Sequence, residues 1–157
     1  MTEERDVLIA KIRNFPDELA ALVAGLTAEQ LSAPALDGEW TIAQNVHHIP
    51  DSHMNSYIRC KLMATEDTPT LKPYNEKLWS QFPDASGPDL ATSLALLRAL
   101  HARWVIFWQN LPDEAWGRPG YHPENQVTVT LDGMLRDYVA HGEAHLEQIR
   151  RTLMAQA

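Results

Sequence analysis

The 157-residue sequence predicts an all-α fold, a four-helix bundle. Three observations predict it. Four long stretches carry apolar residues at the 3.6-residue spacing of a helix, strand-like alternation is nearly absent, and Pro and Gly punctuate the joins. A chain of this length buries a substantial core, and we expect one domain over residues 1–157.

Thr2 can cap the first helix, with Glu3 and Glu4 at the positive end of its dipole. Leu8, Ile12, Phe15, Leu19, Leu22 and Val23 form its buried stripe. Pro16 falls inside that stripe and predicts a kink or break. Thr27-Ala-Glu-Gln30 has the pattern of a capping box opening a short turn, and Pro34 and Gly38 mark a loop.

The second helix is expected from about Glu39 to Ala64, bent at Pro50. Ile42, Val46, Ile49 and Tyr57 form an apolar arc, widened by Ala43, Met54 and Ile58. The opposite stripe is Thr41, Gln44, His48, Ser52, Asn55 and Arg59. A solvated helix face would be rich in Lys and Glu. This one is mostly uncharged and short-chained, which suits the wall of a polar pocket. His47 lies nearer the apolar arc, and periodicity leaves open which histidine of the pair is a ligand.

The stretch Thr65 to Gly87 contains three prolines and is long enough to be functional or to carry a small helix, for which Asn75 to Phe82 is the candidate. Tyr74 and Trp79 either cover a pocket mouth or plug the bundle end. Pro88 suits the first turn of a third helix with the stripe Leu90, Leu94, Leu97, His101, Trp104, Trp108 and Leu111. His101 reads as a structural histidine or one that supports a ligand. Pro112 ends this helix. Gly117 to Gln126 is expected to be loop, and Val127 with Val129 suggests at most a short extended piece.

The last helix carries Leu131, Leu135, Tyr138, Ile149 and Leu153 as its stripe. His141 and His145 fall within it, one turn apart on the same face. Two imidazoles on a core-facing stripe need hydrogen-bond partners or a shared cation, and a divalent metal is the simplest such cation. A zincin is excluded. Gly142 follows His141, and Glu143 lies about 200° round the helix, pointing away from anything the pair holds. With two short connections and one long one, the four helices suit a bundle with a crossover.

Composition narrows the function further. A formal charge of −8 argues against a nucleic-acid surface. No apolar run approaches the roughly 20 residues of a membrane span, and the acidic start of the chain lacks the pattern of a signal peptide. We therefore expect a cytoplasmic protein without a membrane or nucleic-acid partner. Cys60 is the single cysteine, so no internal disulfide forms, in keeping with a reducing compartment. It is either a small buried apolar residue or a nucleophile. No helix N-terminus stands beside it to activate the thiol, which favours the first.

The stretch Gly38-Glu-Trp-Thr-Ile-Ala-Gln-Asn-Val-His-His-Ile-Pro-Asp-Ser-His-Met-Asn-Ser-Tyr-Ile-Arg59 resembles the YfiT-like branch of the DinB superfamily. The resemblance continues through Pro69–Tyr74, Leu100–Trp104, Tyr121–Glu124 and the pair His141/His145. It implies a metal-dependent enzyme: a hydrolase, or a thiol transferase using bacillithiol. It also implies one divalent ion, zinc or nickel, held by His48, His141 and His145. The family pattern of His, an aliphatic residue and then Asp two further on matches His48-Ile49-Pro50-Asp51. Relatives often carry an aromatic residue and an extra His where this chain has Ala140 and Ala144, so pocket lining and substrate can differ.

Three neutral imidazoles leave a zinc-type ion at least one open position, the arrangement of a catalytic site. Asp51 could orient a ligand, and Asn55 and Arg59 could bind a polar or anionic substrate. No further catalytic residue stands out, and the roles of His47, His53, His101 and His122 stay open. The resemblance also implies a homodimer, and Trp108 and Trp116 are the candidates for an exposed apolar interface. The favoured function is transfer of a low-molecular-weight thiol to a small electrophile. The alternatives are metal-dependent hydrolysis, or a non-catalytic metal-binding bundle closed by a fourth ligand such as His47 or His101.

Overall fold

The structure is a computed structural model and describes residues 2–34 and 36–157. Four long helices dominate it: α1 (Glu3–Val23), α3 (Ile42–Thr65), α5 (Ala91–Gln109) and α6 (Leu131–Gln156). Two short helices, α2 (Ala28–Ser32) and α4 (Glu76–Trp79), lie in the connections. The expected bundle is present.

Caps set the helix starts. Thr2 accepts from Arg5 N, and Thr27 with Gln30 forms the expected box ahead of α2. Thr41 is also a cap, not a member of the polar stripe of α3: it bonds reciprocally with Gln44, so the helix begins at Ile42 rather than near Glu39. The third long helix likewise starts later than expected. Pro88 lies before it, and the Asp89 carboxylate accepts from Ala91 N.

Pro16 does not break α1, which runs through it without interruption. A proline at position 16 leaves the Ile12 carbonyl without its usual helical donor. That acceptor is taken by His101 from α5, Nδ1 to O 2.6 Å. A side chain thus supplies the bond the backbone lost.

The segment 110–130 is more structured than a loop with one extended piece. Strands β1 (Pro119–His122) and β2 (Val127–Thr130) form an antiparallel hairpin. Pro119 and Gly120 are poor strand formers, which hides β1 from pattern reading. Gly120 is needed by contact: a Cβ there would come within 2.8 Å of the Met63 side chain. Tyr121 then ties the hairpin to the 65–75 segment through bonds to Pro69 O and Leu71 N.

Both α1 and α3 pack chiefly against α5 and α6. The two helices that follow one another in sequence therefore stand diagonally, as do α5 and α6. Diagonal neighbours need long connections, which residues 24–41 and 110–130 supply, and residues 66–90, between the adjacent α3 and α5, form a third long connection. This corrects the expectation of two short joins.

The core has two apolar halves. One contains Ile9, Ile12, Met63, Trp104, Trp108 and Leu135, and the other Phe15, Leu19, Ile42, Ile49, Leu97 and Ile149. Between them lies a layer of polar groups: Ser52 and His53 from α3, His101 from α5 and His141 from α6. Trp108 and Trp116 belong to the first half. They are 0% and 2% exposed and stack on each other at 5.6 Å, so they are not an interface patch. Packing in this half of the core, where the Arg5 guanidinium covers Trp116, accounts for Trp104, Trp108 and Trp116. Cys60 is fully buried, and burial pushes its thiol up to about 12, which makes it inert. Among the described residues no helix is long and apolar enough to cross a membrane.

Candidate metal centre

His48, His141 and His145 converge from α3 and α6, each offering a ring nitrogen, with all three nitrogens within 4.8 Å of one another. The ring centroids of His48 lie 5.5 Å and 4.9 Å from those of His141 and His145. Proline-bent or not, α3 keeps His48 on the face turned to α6, and His47 faces elsewhere. His47 Nε2 donates to Gly87 O and Nδ1 accepts from Ser93 Oγ, both at 2.7 Å. With both nitrogens engaged, His47 is a strut between α3 and the start of α5. The pair that periodicity left open is separated by these two bonds.

Hydrogen bonds fix which nitrogens carry protons. A carbonyl oxygen only accepts, so His101 must be protonated at Nδ1 where it meets Ile12 O. Its Nε2 is then bare and accepts from His53 Nδ1, 2.7 Å away. His53 Nε2 is bare in turn and accepts from His141 Nδ1 at 3.1 Å. The end of the chain is His141 Nε2, which carries no proton and has the Ser52 hydroxyl 3.5 Å away as a weak donor. The argument for His145 is separate and gives the same result. Asn45 Nδ2 donates to Thr41 O, which turns its Oδ1 toward His145 Nδ1 at 2.8 Å. His145 Nε2 is therefore also bare.

Those two bare nitrogens face each other at 3.1 Å. Neither has a proton to share, so the contact is a repulsion of lone pairs unless a cation lies between them. Two nitrogens on one tetrahedral zinc ion, at about 2.0–2.1 Å each, would stand roughly 3.3–3.4 Å apart. The donor set fits such an ion. All five histidines of the cluster are held neutral. Burial, reinforced by neighbouring imidazoles, lowers His48 and His141 to about 3, burial lowers His101 and His145 to about 4, and His53 is pushed well below its ordinary value. Neutral imidazole is the form that binds metal.

Phe15 closes the layer from the α1 side, stacked 5.6 Å from both His53 and His101. Gly142 allows this, since a Cβ there would stand 2.8 Å from the Phe15 ring. Glu143 points outward to Lys11, as the helical angle requires.

Two cavities meet at the histidines. The larger, about 610 Å³, is lined by Ser52, Arg59, Tyr74, His122 and Tyr138, among others. The smaller, about 450 Å³, has Trp40, His48, His145, Gln148 and Arg151 in its wall. Both include His141, Glu76 and Lys77, so α4 stands where they join. Tyr74 lines the larger cavity, its ring 4.6 Å from that of Trp79.

Of the other substrate candidates, Arg59 lines the larger cavity, whereas Asp51 and Asn55 are absent from both walls. Asn55 turns its amide back to the Asp51 carbonyl. Asp51 is raised by burial and by Asp84. Sequence reasoning missed Asn45, His53 as a link and Glu76. Asn45 had a signal, being a polar residue within the apolar arc of α3. Glu76, on a short helix within a long connection, had none.

One expected result belongs here. In the metal-free protein near neutral pH, 15N-resolved NMR should find His101, His53, His141 and His145 all as the Nδ1–H tautomer. A single Nε2–H form among them breaks the chain of inference. Pro16→Ala, which supplies a competing N–H for Ile12 O, should perturb His101 first.

The sequence model of the DinB superfamily matches residues 11–149. YfiT of Bacillus subtilis (strain 168), provisionally named a metal-dependent hydrolase, is 44% identical over 147 residues, 94% of this chain and 83% of YfiT. A Bacillus cereus (strain 03BB102) protein with the same kind of name is 41% identical over 156 residues, 98% of this chain and 90% of its own. The solved structure of B. subtilis YfiT is described as a probable metal-dependent hydrolase with an unusual four-helix bundle topology. It matches with a TM-score of 0.93 at 42% identity, over 97% of this chain and 87% of that one. With these likenesses the chain belongs to the DinB superfamily.

Proposed function

We propose that His48, His141 and His145 hold one divalent metal ion, zinc or nickel, and that the protein transfers a low-molecular-weight thiol to a small electrophile. The observation that carries the reading is the pair of cavities joined at His141. A hydrolase needs room for one organic substrate and water, whereas a thiol transferase must seat two organic reactants against one centre. The commitment of His47 to Ser93 and Gly87, and of His101 to Ile12 and His53, supports an open coordination position rather than a closed structural site.

When bound, the ion lowers the pKa of a coordinated thiol or water. The chain's own groups do the rest. Glu76 Oε2, 3.9 Å from His48 Nε2 and at the junction of the cavities, accepts the thiol proton. The sulfur lone pair forms the new bond to carbon, and the leaving group departs with its bonding pair. Tyr74 and Trp40 flank the two reactants and restrict water. Burial raises the Tyr74 phenol, so it stays a hydrogen-bond donor. Hydrolysis is the second reading, favoured by the names its relatives carry.

The test is turnover of a model electrophile with a panel of thiols, alongside metal analysis. A thiol-dependent rate, lost on chelation and restored by zinc or nickel, is the expected outcome, with the conjugate seen by mass spectrometry. Rapid ester or amide hydrolysis without thiol, and no conjugate, would establish the second reading.

A further inference from the structure

Arg59 lies on the wall of the larger cavity and is 9% exposed, an unusual place for a guanidinium. Among the described residues no ion pair joins it to an acid. One terminal nitrogen donates to the backbone oxygen of Lys72, and Nε is buried with no partner. The Lys72 bond holds the guanidinium in place, so the unspent Nε–H is a fixed donor and not a flexible one. His122, from β1, lines the same cavity and has a buried Nδ1 that is also without a partner. Burial and then the Arg59 charge push His122 below its ordinary value, against a smaller opposing effect of Glu124, and keep the imidazole neutral. Two buried polar atoms without partners, carried by two residues that line one cavity, are costly unless something completes them.

The acids nearby do not complete them. Glu76 and Glu124 line the same cavity as exposed residues, and Lys77 accompanies them there. What is missing is a compact anion with in-plane acceptors that fits the remaining donor edge of a guanidinium, and that describes a carboxylate.

We propose that Arg59 and His122 form a carboxylate-binding subsite, so that the organic reactant seated in the larger cavity is a carboxylic acid whose reactive end reaches His141. The inference rests on the proposed function only in placing a reactant in this cavity. Tyr74 and Ser52 line the same cavity, with Ser52 Oγ 3.5 Å from His141 Nε2 and the Tyr74 hydroxyl 3.5 Å from His48 Nδ1. Arg59 acts as the specificity residue, and the histidines serve as the reaction centre.

The test uses the chelated protein, which removes the metal as a rival ligand for the anion. Propionate and its uncharged isostere propionamide are titrated while the Arg59 Nε–H and His122 ring signals are followed by NMR. Propionate should shift both saturably, and propionamide should bind at least about tenfold more weakly. Arg59→Gln should erase that preference. Should this variant fail to fold, the two ligands compared on the unaltered protein still decide the matter. Equal responses to both compounds, or a propionate response that leaves the Arg59 Nε–H unmoved, would overturn the subsite. A separate arm compares 3-mercaptopropionate with 2-mercaptoethanol as thiols for the metal-loaded protein. Saturable propionate binding with neither thiol turned over would retain the subsite and reject the thiol-transfer reading.

Discussion

His48→Ala, His141→Ala and His145→Ala should each abolish stoichiometric binding of zinc or nickel, while His47→Ala should not. On the proposed reading the three nitrogens within 4.8 Å of one another act as a three-ligand set, and a set of two does not hold a divalent ion against buffer and water. Stability shows the same contrast. A ligand present at 1,000 times its dissociation constant stabilises the folded state by about 4 kcal/mol, and that increment should vanish in the three variants. Without metal, removing His141 or His145 relieves the 3.1 Å contact of two bare nitrogens but leaves His53 Nε2 or Asn45 Oδ1 without its donor, so the two effects oppose each other. His47→Ala has the opposite profile. It loses the bonds to Ser93 and Gly87, at a cost of roughly 1–3 kcal/mol, but keeps its metal. Elemental analysis and melting curves with and without chelator check all four. Full occupancy in His48→Ala would remove that residue from the ligand set.

Acid should destabilise the metal-free protein well above the range where carboxylates titrate. His53 and His101 are 0% and 1% exposed, and burial holds both below the unfolded value near 6.5, His101 at about 4. The unfolded chain therefore binds protons between pH 6.5 and 4 that the folded chain refuses. Stability is full above pH 6.5 and falls as pH drops, by about 1.4 kcal/mol per unit for each histidine. At pH 5 that is roughly 2 kcal/mol apiece, or on the order of 10 °C in Tm for the two together in a domain of this size. Glu4 and Asp132 act in the same direction only at lower pH. Burial alone would raise Asp132, but Arg5 and Arg136 outweigh it and hold it low, and Arg136 holds Glu4 low. Asp51, raised by burial and by Asp84, opposes the trend once it begins to protonate. Melting curves of chelated protein at pH 8, 6.5 and 5 measure the effect. A Tm unchanged across that interval would mean the imidazoles are not held neutral as the buried layer requires.

Much of this was legible in the order of residues. Stripes at 3.6-residue spacing and the boxes at Thr27 and, once recognised, Thr41 depend on contacts within a few residues, and local pattern encodes them directly. The polar stripe of α3 and the pair His141/His145 announced a pocket and a place for a cation for the same reason. A helix wheel knows which residues share a face. It does not know what stands opposite.

Everything decided from across the bundle needed the tertiary structure. His48 and His47 differ because Ser93 and the Gly87 carbonyl lie where one ring arrives and a cluster of imidazoles where the other does. Trp108 and Trp116 looked like surface because the sequence did not reveal the hairpin and helix that bury them. The diagonal order of helices, set by long connections rather than by any helix's own pattern, brings α6, α3, α5 and α1 to one polar layer. Pro16 illustrates the division best. Its sequence determines that Ile12 O loses a backbone donor, a local and certain fact of proline chemistry. That the replacement is His101, and that the proton order this imposes ends on a bare His141 Nε2 facing His145, follows only from which helix packs against which.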